Sequence, residues 1–295
     1  MRIANMHDRA FLVLGESDAE TAVDIAEVSN GKFGPDLSSI YENWDSLTSW
    51  FSEQDLDTLA TANGTAIDRA ALGAPSPTPR QVFAAGLNYR EHASESGFDA
   101  PTDATPPLFT KYVSSFSGPD TEVVLPPGGA VDWEVELVVI IGRIAHAIEA
   151  GDAWAHIAGL TAGQDISERI LQKQGPAPQF GLGKSLPGFS PQGPWLVTAD
   201  AIAHPDDLEL GCAIDGEEVQ KGRTKDLIYS IPTLVAALSH IVTLYPGDVI
   251  FTGTPSGVGI GRSPQRFLQP GERLDSWIEG IGELHQRFVA APSTP

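Results

Sequence analysis

The sequence predicts an α+β protein that is mainly β, with a rolled, barrel-like mixed sheet preceded by a small α+β unit. Strand-like runs outnumber helical ones after residue 80. The 30 glycines and 23 prolines among 295 residues supply many turns without reaching a low-complexity composition. With 41% hydrophobic and 19% charged residues, the composition excludes disordered, collagen-like and membrane-spanning chains.

Residues 1–75 form the predicted N-terminal unit. They contain two strand-like runs, RAFLVLGE and ETAVDIAEV, and then a polar stretch over 38–63 whose pattern is typical of helices. The segment APSPTPR at 74–80 has alternating prolines, which favour extended backbone, so we place the domain boundary there. The predicted domains are therefore 1–75, a small α+β cap, and 80–290, a β-roll.

The second domain is built mainly from short strands joined by turns. Asp215 and Gly216 separate two strand-like runs and predict a tight hairpin, because both central positions of a type I′ turn need positive φ. The clearest helix is PTLVAALSHIVTL, with apolar residues at Leu234, Leu238 and Ile241. The predicted strands are VFAAGLNY, EVVLPP, VDWEVELVVIIGR, GPWLVT, LELGCAI, EEVQKGR and DVIFTG.

Charge and cysteine content narrow the functional classes. The 18 basic and 39 acidic residues give a formal charge of −21, which repels nucleic acid and anionic lipid and attracts cations. We therefore expect neither nucleic acid nor a membrane as a partner. Cys212, the single cysteine, cannot form an internal disulfide, and the apolar run at 10–14 is too short for a signal peptide. We expect a cytoplasmic, reduced protein.

Two glycine-bearing segments resemble nucleotide-binding motifs but fail in detail. The Gly-Lys-Ser sequence at 183–185 would need a glycine at the position of Pro178 to form a phosphate-binding loop. In SGVGIG, Gly257, Gly259 and Gly261 have G-x-G-x-G spacing, which indicates a loop rather than a dinucleotide fingerprint. G-x-S-x-G, H-E-x-x-H and C-x-x-C are absent from the sequence, so serine hydrolase, zincin and thiol redox sites lack their usual support.

The segment VDWEVELVVIIG carries closely spaced carboxylates. A period of two places Asp132, Glu134 and Glu136 on one face. This segment is either a solvated edge strand or, because LVVII is apolar on both faces, a buried central strand. At an effective dielectric near 20, two carboxylates about 5 Å apart repel by roughly 3 kcal/mol, so a buried pair needs a proton or a cation. Oxygen ligands favour Mg²⁺, Mn²⁺ or Ca²⁺ over Zn²⁺.

A third carboxylate, Asp165, lies in AGLTAGQDISERILQ and has two interpretations. It either caps a helix through its side chain or joins the acidic residues of the strand. Arg169 and Gln172 are three residues apart on the predicted helix and share a face. They either hold a substrate carboxylate or bond to solvent and Asp165.

A base and three further polar residues complete the candidates. His92 and Glu95, three apart in LNYREHASESG, have the spacing of a carboxylate-oriented general base, although such pairs are also common on surfaces. The polar run SESGFDAPTDATPP predicts a lid. Lys111 and Lys184 lie beside turns and are either site cations or solvated tips. Thr254 enters a glycine-bearing turn that could bind an anion.

In order along the chain, these segments resemble the fumarylacetoacetate hydrolase family, in its bacterial branch of acylpyruvases and hydroxydienedioate isomerases. The likeness spans about residues 83–282. The family's Asn-Asp-x-Ser-Ala-Arg segment carries Gln164 and Glu168 here in place of Asn and Ala, and an acidic Glu168 beside Arg169 weakens the transfer of substrate contacts. The matching segments are GLNYREHASE, PLFTKYVSSFSGP, VDWEVELVVIIG, QDISERILQ, GKSLPGFSPQGPWLVT and LYPGDVIFTGTPSGVG.

The resemblance implies a mixed β-roll, a homodimer, and a Mg²⁺ or Mn²⁺ ion that Ca²⁺ can replace. It implies three metal ligands: Glu134, Glu136 and Asp165. The expected catalytic residues are His92 and Glu95 on a lid, with Lys184. The expected substrate contacts are Arg169, Gln172 and Thr254, together with Lys111 as a further cation.

The expected activity is metal-dependent hydrolysis of a C–C bond in a 2,4-diketo acid of the acylpyruvate type. Decarboxylation of oxaloacetate and isomerisation of 2-hydroxyhepta-2,4-diene-1,7-dioate are alternatives on the same site, because both pass through an enolate. A noncatalytic metal- or ligand-binding β-domain is an alternative of another class, which His92 and Glu95 argue against because a binder needs no base. A small anionic keto acid also requires local cations that outweigh the −21 charge.

Overall fold

The computed structural model describes residues 1–15, 20–95, 97 and 106–292. Most of the segment expected to form a lid, 94–107, lies outside these residues. The strands are β1 (Arg2–Met6), β2 (Arg9–Leu14), β3 (Thr21–Asp24), β4 (Thr65–Ala66), β5 (Leu72–Gly73), β6 (Val82–Ala85), β7 (Leu108–Thr110), β8 (Phe116–Ser117), β9 (Asp120–Leu125), β10 (Val131–Asp132), β11 (Val135–Ile141), β12 (Ile157–Gln164), β13 (Ser167–Glu168), β14 (Ser190–Val197), β15 (Glu209–Ile214), β16 (Glu217–Arg223), β17 (Val249–Phe251), β18 (Arg273–Ile278) and β19 (Gly282–Ala290).

The helices are short, and most lie between strands. They are α1 (Ile25–Val28), α2 (Leu37–Glu42), α3 (Trp44–Ser52), α4 (Leu56–Asn63), α5 (Arg90–Glu95), α6 (Ala153–His156), α7 (Arg169–Gln172), α8 (Phe180–Gly183) and α9 (Ile231–Ile241). Across the part of the chain that the structure describes, none of them has the length and apolar character needed to cross a membrane.

Two mixed sheets form the body of the protein. The larger follows the order β4-β3-β2-β1-β14-β12-β11-β17-β6-β7, with β5 on β1 and β8 on β14. The smaller follows β16-β15-β18-β19-β9. Most pairs are antiparallel, but β6 with β17, β8 with β14 and β9 with β19 are parallel. The prediction of a mainly β protein with mixed sheets is confirmed. The larger sheet is open, since its order ends at β4 and β7 among the described strands.

The strand β11 lies at the centre of the large sheet, between β12 and β17. All seven of its residues are buried. Val139 packs into the core shared with the smaller sheet, whereas Val138 and Ile140 pack toward the N-terminal helices. Each fully buried aliphatic side chain contributes about 1.5 to 3 kcal/mol. The interpretation of this segment as a solvated edge strand is therefore wrong.

The N-terminal residues extend the large sheet. Its first strand, β1, was not predicted, and it pairs with β14 so that Arg2 lies opposite Val197. The run ETAVDIAEV is a strand only to Asp24, whose side chain accepts the Glu27 N–H at 3.2 Å and caps α1. The proline-rich segment is tied to α2, because the Tyr41 hydroxyl donates to the Pro75 carbonyl at 2.8 Å. The division into two domains stays a prediction.

The predicted hairpin and helix of the second domain are both present. Asp215 and Gly216 have φ of 49° and 84° and join β15 to β16 with Ile214 opposite Glu217. This is the positive-φ pair that a type I′ turn requires. The predicted helix is α9, and its N-terminal N–H groups are partly satisfied by the Ser230 side chain.

Candidate active site and metal centre

Strand register brings the three predicted metal ligands together. In the antiparallel pair of β11 and β12, Val135 lies opposite Gln164. Pairing continues one residue further, where the Asp165 N–H donates to the Glu134 carbonyl at 2.9 Å. One carboxylate oxygen from each of Glu134, Glu136 and Asp165 lies within 4.8 Å of the others, and all three residues are buried. The chain therefore forms a compact three-carboxylate cluster.

The acidic face does not extend to Asp132. The segment is interrupted between β10 and β11, so the period of two breaks after Asp132. The Asp132 carboxylate accepts the N–H groups of Gly259 at 2.7 Å and Ile260 at 3.0 Å. Asp132 is completely buried but lies outside the three-carboxylate cluster.

Three buried cations contact the cluster. The Lys184 ammonium donates to Glu134 and to Asp165, each at 2.6 Å. Arg169 Nη2 lies 2.7 Å from an oxygen of Glu134. The Lys111 ammonium contacts the Asp165 carboxylate and the Lys184 carbonyl. The interpretation of Lys111 and Lys184 as solvated tips is wrong, since both are almost fully buried.

The pKa values of Glu134 and Glu136 are shifted in opposite directions. Burial alone would raise the pKa of Glu134, but the combined charges of Lys184, Arg169 and His92 hold that pKa well below its ordinary value. Burial, followed by repulsion from Asp165 and Glu134, raises the pKa of Glu136 well above its ordinary value. Glu136 accepts the Gly253 N–H at 2.7 Å and forms no ion pair among the described residues. Of the three carboxylates, Glu136 would therefore gain the most electrostatic stabilisation from a bound cation.

The predicted base dyad is present in α5. His92 Nδ1 lies 2.9 Å from Glu95 Oε1, and both residues line the cavity next to the cluster. The Glu95 carboxylate also accepts the Gly257 N–H at 3.0 and 3.1 Å. Among the described residues, His92 Nε2 has no hydrogen bond to protein, so it is the nitrogen available to a ligand or water. Whether this pair is catalytic stays a prediction.

Arg169 and Gln172 share a face of α7, as their spacing predicts. Arg169 Nη1 donates to Gln172 Oε1 at 3.1 Å, and both residues line the cavity. The residue that caps α7 is Glu168, which accepts two N–H groups of the helix at 2.6 and 3.2 Å. The helix-cap interpretation of Asp165 is therefore wrong. The extra carboxylate of Glu168 is occupied by backbone rather than by Arg169.

Thr254 and Lys111, two predicted substrate contacts, bond mainly to other groups of the protein. The Thr254 hydroxyl donates to the Val135 carbonyl and accepts from Gln220 Nε2, both at 2.8 Å. Thr254 lines the cavity, but these bonds fix the turn after β17. Lys111 supports Asp165 and does not line the cavity. Sequence reasoning missed Gln220, because nothing in EEVQKGR distinguishes it from a surface residue.

The cavity has a volume of about 450 Å³ and is lined by both charged and apolar side chains. The charged side chains include Glu134, Glu136 and Lys184. The rings of Phe109 and Phe180 form an edge-to-face pair with centroids 5.7 Å apart. The apolar side chains lining the cavity include Phe109, Pro178, Phe180 and Ile260. The volume suits a small molecule with one chelating and one apolar part.

Comparison with known proteins identifies the family. Residues 81–289 match the model of the fumarylacetoacetate (FAA) hydrolase C-terminal family. The chain belongs to this family. Human mitochondrial oxaloacetate tautomerase FAHD2A is 44% identical over 217 residues, which cover 73% of this chain and 68% of that protein. The 2,4-didehydro-3-deoxy-L-rhamnonate hydrolase of Sphingomonas sp. (strain SKA58) is 39% identical over 244 residues, covering 80% and 85%.

Solved structures of fumarylacetoacetate hydrolase family proteins support the fold over the whole chain. A Mycobacterium smegmatis protein described as HpcE has 52% identity and a TM-score of 0.92, covering 99% of this chain and 100% of that one. The maleylpyruvate hydrolase of Sphingobium sp. SYK-6, in complex with manganese(II) and pyruvate, has 28% identity and a TM-score of 0.77 with the same coverage. The predicted family and β-rich fold are confirmed. Relatives include hydrolases and a tautomerase, a reaction that the sequence analysis did not name.

Proposed function

We propose that this protein is a divalent-metal-dependent hydrolase that cleaves a C–C bond in a 2,4-diketo acid of the acylpyruvate type. The observation that carries this proposal is one cavity lined both by Glu134 and Glu136, two members of the buried three-carboxylate cluster, and by the His92–Glu95 pair. A cluster alone would suit a metal-binding protein. The addition of an oriented imidazole suits a reaction that activates water.

The residues fit a hard divalent cation. All three donors are carboxylate oxygens, which Mg²⁺ and Mn²⁺ prefer, and Ca²⁺ could replace them. Such an ion would supply Lewis acidity to the keto-acid end of the substrate. When Glu136 is ionised, as metal binding requires, four buried carboxylates and three buried cations leave one negative charge in the site; they are Asp132, Glu134, Glu136, Asp165, Lys111, Arg169 and Lys184. A divalent cation would reverse this sign, which favours an anionic substrate despite the net charge of −21.

The side chains around the cavity supply the remaining chemistry. Glu95 holds Nδ1 of His92, so Nε2 takes a proton from water as the water oxygen attacks the carbonyl of the acyl group. The C–C bond then breaks, the electron pair passes to the departing pyruvate carbon, and the imidazolium returns the proton to it. Arg169 and Lys184 stabilise the negative charge at the keto-acid end, while Phe109 contacts the acyl group.

A second candidate is keto–enol tautomerisation of oxaloacetate. It is favoured by the 44% identity with the human tautomerase. Oxaloacetate decarboxylation and hydroxydienedioate isomerisation remain alternatives, because they too need a stabilised enolate but no attack by water. For tautomerisation, His92 would move a proton between carbon and solvent. A homodimeric state and a cytoplasmic location also stay predictions.

Substrate turnover with and without chelator tests these candidates. The purified protein with Mg²⁺ is given acetylpyruvate, and acetate and pyruvate are measured. Separate assays with oxaloacetate follow the decay of the enol form and the release of pyruvate. We expect acetylpyruvate hydrolysis that EDTA abolishes and Mg²⁺ restores. Hydrolysis that persists after full chelation overturns the metal requirement, and exclusive turnover of oxaloacetate overturns the hydrolase proposal in favour of the alternatives.

A further inference from the structure

The glycine-rich loop at 256–261 binds carboxylates of the protein itself. The Gly257 N–H donates to both oxygens of Glu95, at 3.0 and 3.1 Å. The N–H groups of Gly259 and Ile260 donate to the two oxygens of Asp132, at 2.7 and 3.0 Å. Successive backbone N–H groups of this kind form a concave anion site. Both carboxylates come from distant parts of the chain, so the loop connects them.

The loop holds α5 at two points one helical turn apart. Besides the bond from Gly257 to Glu95, the Ser256 hydroxyl donates to Glu91 at 3.1 Å. Glu91 and Glu95 are four residues apart and therefore lie on one side of the helix. Because Glu95 also contacts His92, the position of the imidazole depends on where the loop holds the helix.

Asp132 connects the same loop to the substrate side of the cavity. Its carboxylate accepts Arg169 Nε at 2.9 Å, and Arg169 Nη2 lies 2.7 Å from the same oxygen. Asp132 also accepts the N–H of its neighbour Trp133 at 2.9 Å. One fully buried carboxylate thus contacts both the loop that holds Glu95 and the guanidinium that contacts Glu134.

The glycines leave little room for side chains at these contacts. Gly257 has φ of 106°, and a Cβ there would lie 2.3 Å from the Val219 carbonyl oxygen. A Cβ on Gly261 would lie 3.0 Å from Cδ and Oε2 of Glu95. Gly261 has no positive φ, so alanine at this position disturbs Glu95 without straining the backbone.

We propose that Asp132 is a positioning residue that acts through the loop at 256–261 to fix Glu95, and hence the His92 imidazole, relative to Arg169. The proposal rests on the proposed function, in which His92 activates water. It assigns Asp132 no contact with substrate or metal. Its role is to hold the base and the anion-binding guanidinium in one rigid arrangement, on which proximity effects depend.

The first test moves Glu95 alone. Gly261→Ala places a methyl group against the Glu95 carboxylate, and we expect kcat for acetylpyruvate to fall about 10-fold while KM and Mg²⁺ affinity stay within about twofold. Gly151→Ala is the matched control, because nothing lies within 4 Å of a Cβ there. Equal kcat in the two variants overturns the proposed link between loop and dyad.

The second test removes the charge of Asp132. Asp132→Asn removes the charge and replaces one of the two acceptor oxygens by an NH₂ donor. Because Glu95 and Arg169 should both shift, we expect kcat to fall about 10- to 100-fold and KM to rise several-fold. Asp248→Asn is the matched control: Asp248 is equally buried and accepts the N–H groups of Gln81 and Tyr245, at 2.9 and 2.8 Å, outside the cavity lining. Thermal unfolding of both variants separates a loss of folded protein from a change in catalysis.

A double-mutant cycle decides whether Asp132 acts through the dyad. In a His92→Ala background, Asp132→Asn should leave kcat within about twofold and still raise KM. If the loss of kcat in the double variant equals the product of the two single losses, the proposed link between Asp132 and the dyad is overturned, but the proposed function stays intact. If His92→Ala alone leaves kcat unchanged, His92 has no part in the reaction, and both the hydrolytic mechanism and this inference fail. If Asp132→Asn does not fold, the kcat of Gly261→Ala and its cycle with His92→Ala decide the link.

Discussion

Asp132 and Glu136 are acidic residues four positions apart, both buried, yet their surroundings are opposite. Among the described residues, four hydrogen bonds are donated to Asp132, three from backbone N–H groups and one from Arg169. Within the same part of the chain, Glu136 accepts one hydrogen bond, from Gly253, and faces two other carboxylates. A buried charge whose acceptor capacity is filled stabilises structure, whereas one with unfilled capacity calls for a ligand. The number of donors around each carboxylate, rather than its burial, distinguishes the two roles.

The largest expected effect is on the free energy of unfolding when Asp132 or Glu136 is replaced by alanine. Asp132→Ala removes one of the two carboxylates that contact Arg169, leaves the N–H groups of Gly259 and Ile260 without their acceptor, and should lower the free energy of unfolding by about 3 to 5 kcal/mol. Glu136→Ala removes a carboxylate that repels its neighbours, so the loss in the metal-free protein should be smaller than about 2 kcal/mol. Urea unfolding measures both. Equal losses would show that donor number does not separate the two sites.

Replacement of His92 tests whether the cavity beside Glu136 has the proposed catalytic role in addition to the proposed metal site. His92→Ala should lower kcat by about 10² to 10⁴ because the base is lost. Mg²⁺ affinity should stay within about threefold, since His92 contributes no ligand to the cluster. Steady-state kinetics and calorimetry supply the two values. His240→Ala, on the exposed side of α9, is a control for histidine replacement.

Conversion of Glu136 or Asp132 to its amide should change the Mg²⁺ affinity by different amounts. If Glu136 is a metal ligand, as proposed, Glu136→Gln should weaken Mg²⁺ binding by about 10²-fold, because loss of a direct ligand costs at least as much as loss of an outer contact. Asp132→Asn should keep the affinity within about threefold. Calorimetric titration of the chelator-treated proteins compares them. The cluster is misinterpreted if Glu136→Gln binds Mg²⁺ as tightly as the unmodified protein.

Metal-dependent stabilisation gives the smallest expected effect. A ligand that binds only the folded state at 100 times its Kd stabilises by about 2.7 kcal/mol. Mg²⁺ should therefore raise the melting temperature of the unmodified protein and of Gly151→Ala. The rise should vanish in Glu136→Gln. Scanning calorimetry with EDTA and then with Mg²⁺ measures it, and an equal rise in Glu136→Gln would place the bound ion elsewhere.

The sequence was most informative where local pattern determines structure. Alternation within VDWEVEL placed Asp132, Glu134 and Glu136 on one face, of which only Glu134 and Glu136 join the cluster, and the flanking apolar run gave burial as the alternative to a solvated edge. The pairing of Asp165 with Glu134 needed the resemblance to a family, because it depends on the register of two strands. The role of Asp132 could not be predicted, since its donors at 259 and 260 lie more than 120 positions away.

Three other features could not be predicted because they too depend on contacts between residues far apart in the sequence. SGVGIG resembles a nucleotide motif, but its N–H groups bind Glu95 and Asp132, which only the tertiary fold brings to this loop. The strand β1 has little apolar pattern in RIANM and is stabilised by partners on both sides. Phe109 and Phe180 are single aromatic residues in turn-rich segments, and only packing reveals them as neighbours.

The pairing of β1 with β14 limits how the chain can be shortened. A fragment trimmed to the family match at 81–289 would lose β1, which pairs with β14 at Leu196 and Val197. The bared edge would present unsatisfied backbone groups next to Leu196, which is now fully buried, and such edges recruit strands from other molecules. We therefore expect a fragment without the N-terminal segment to aggregate more readily than the full chain.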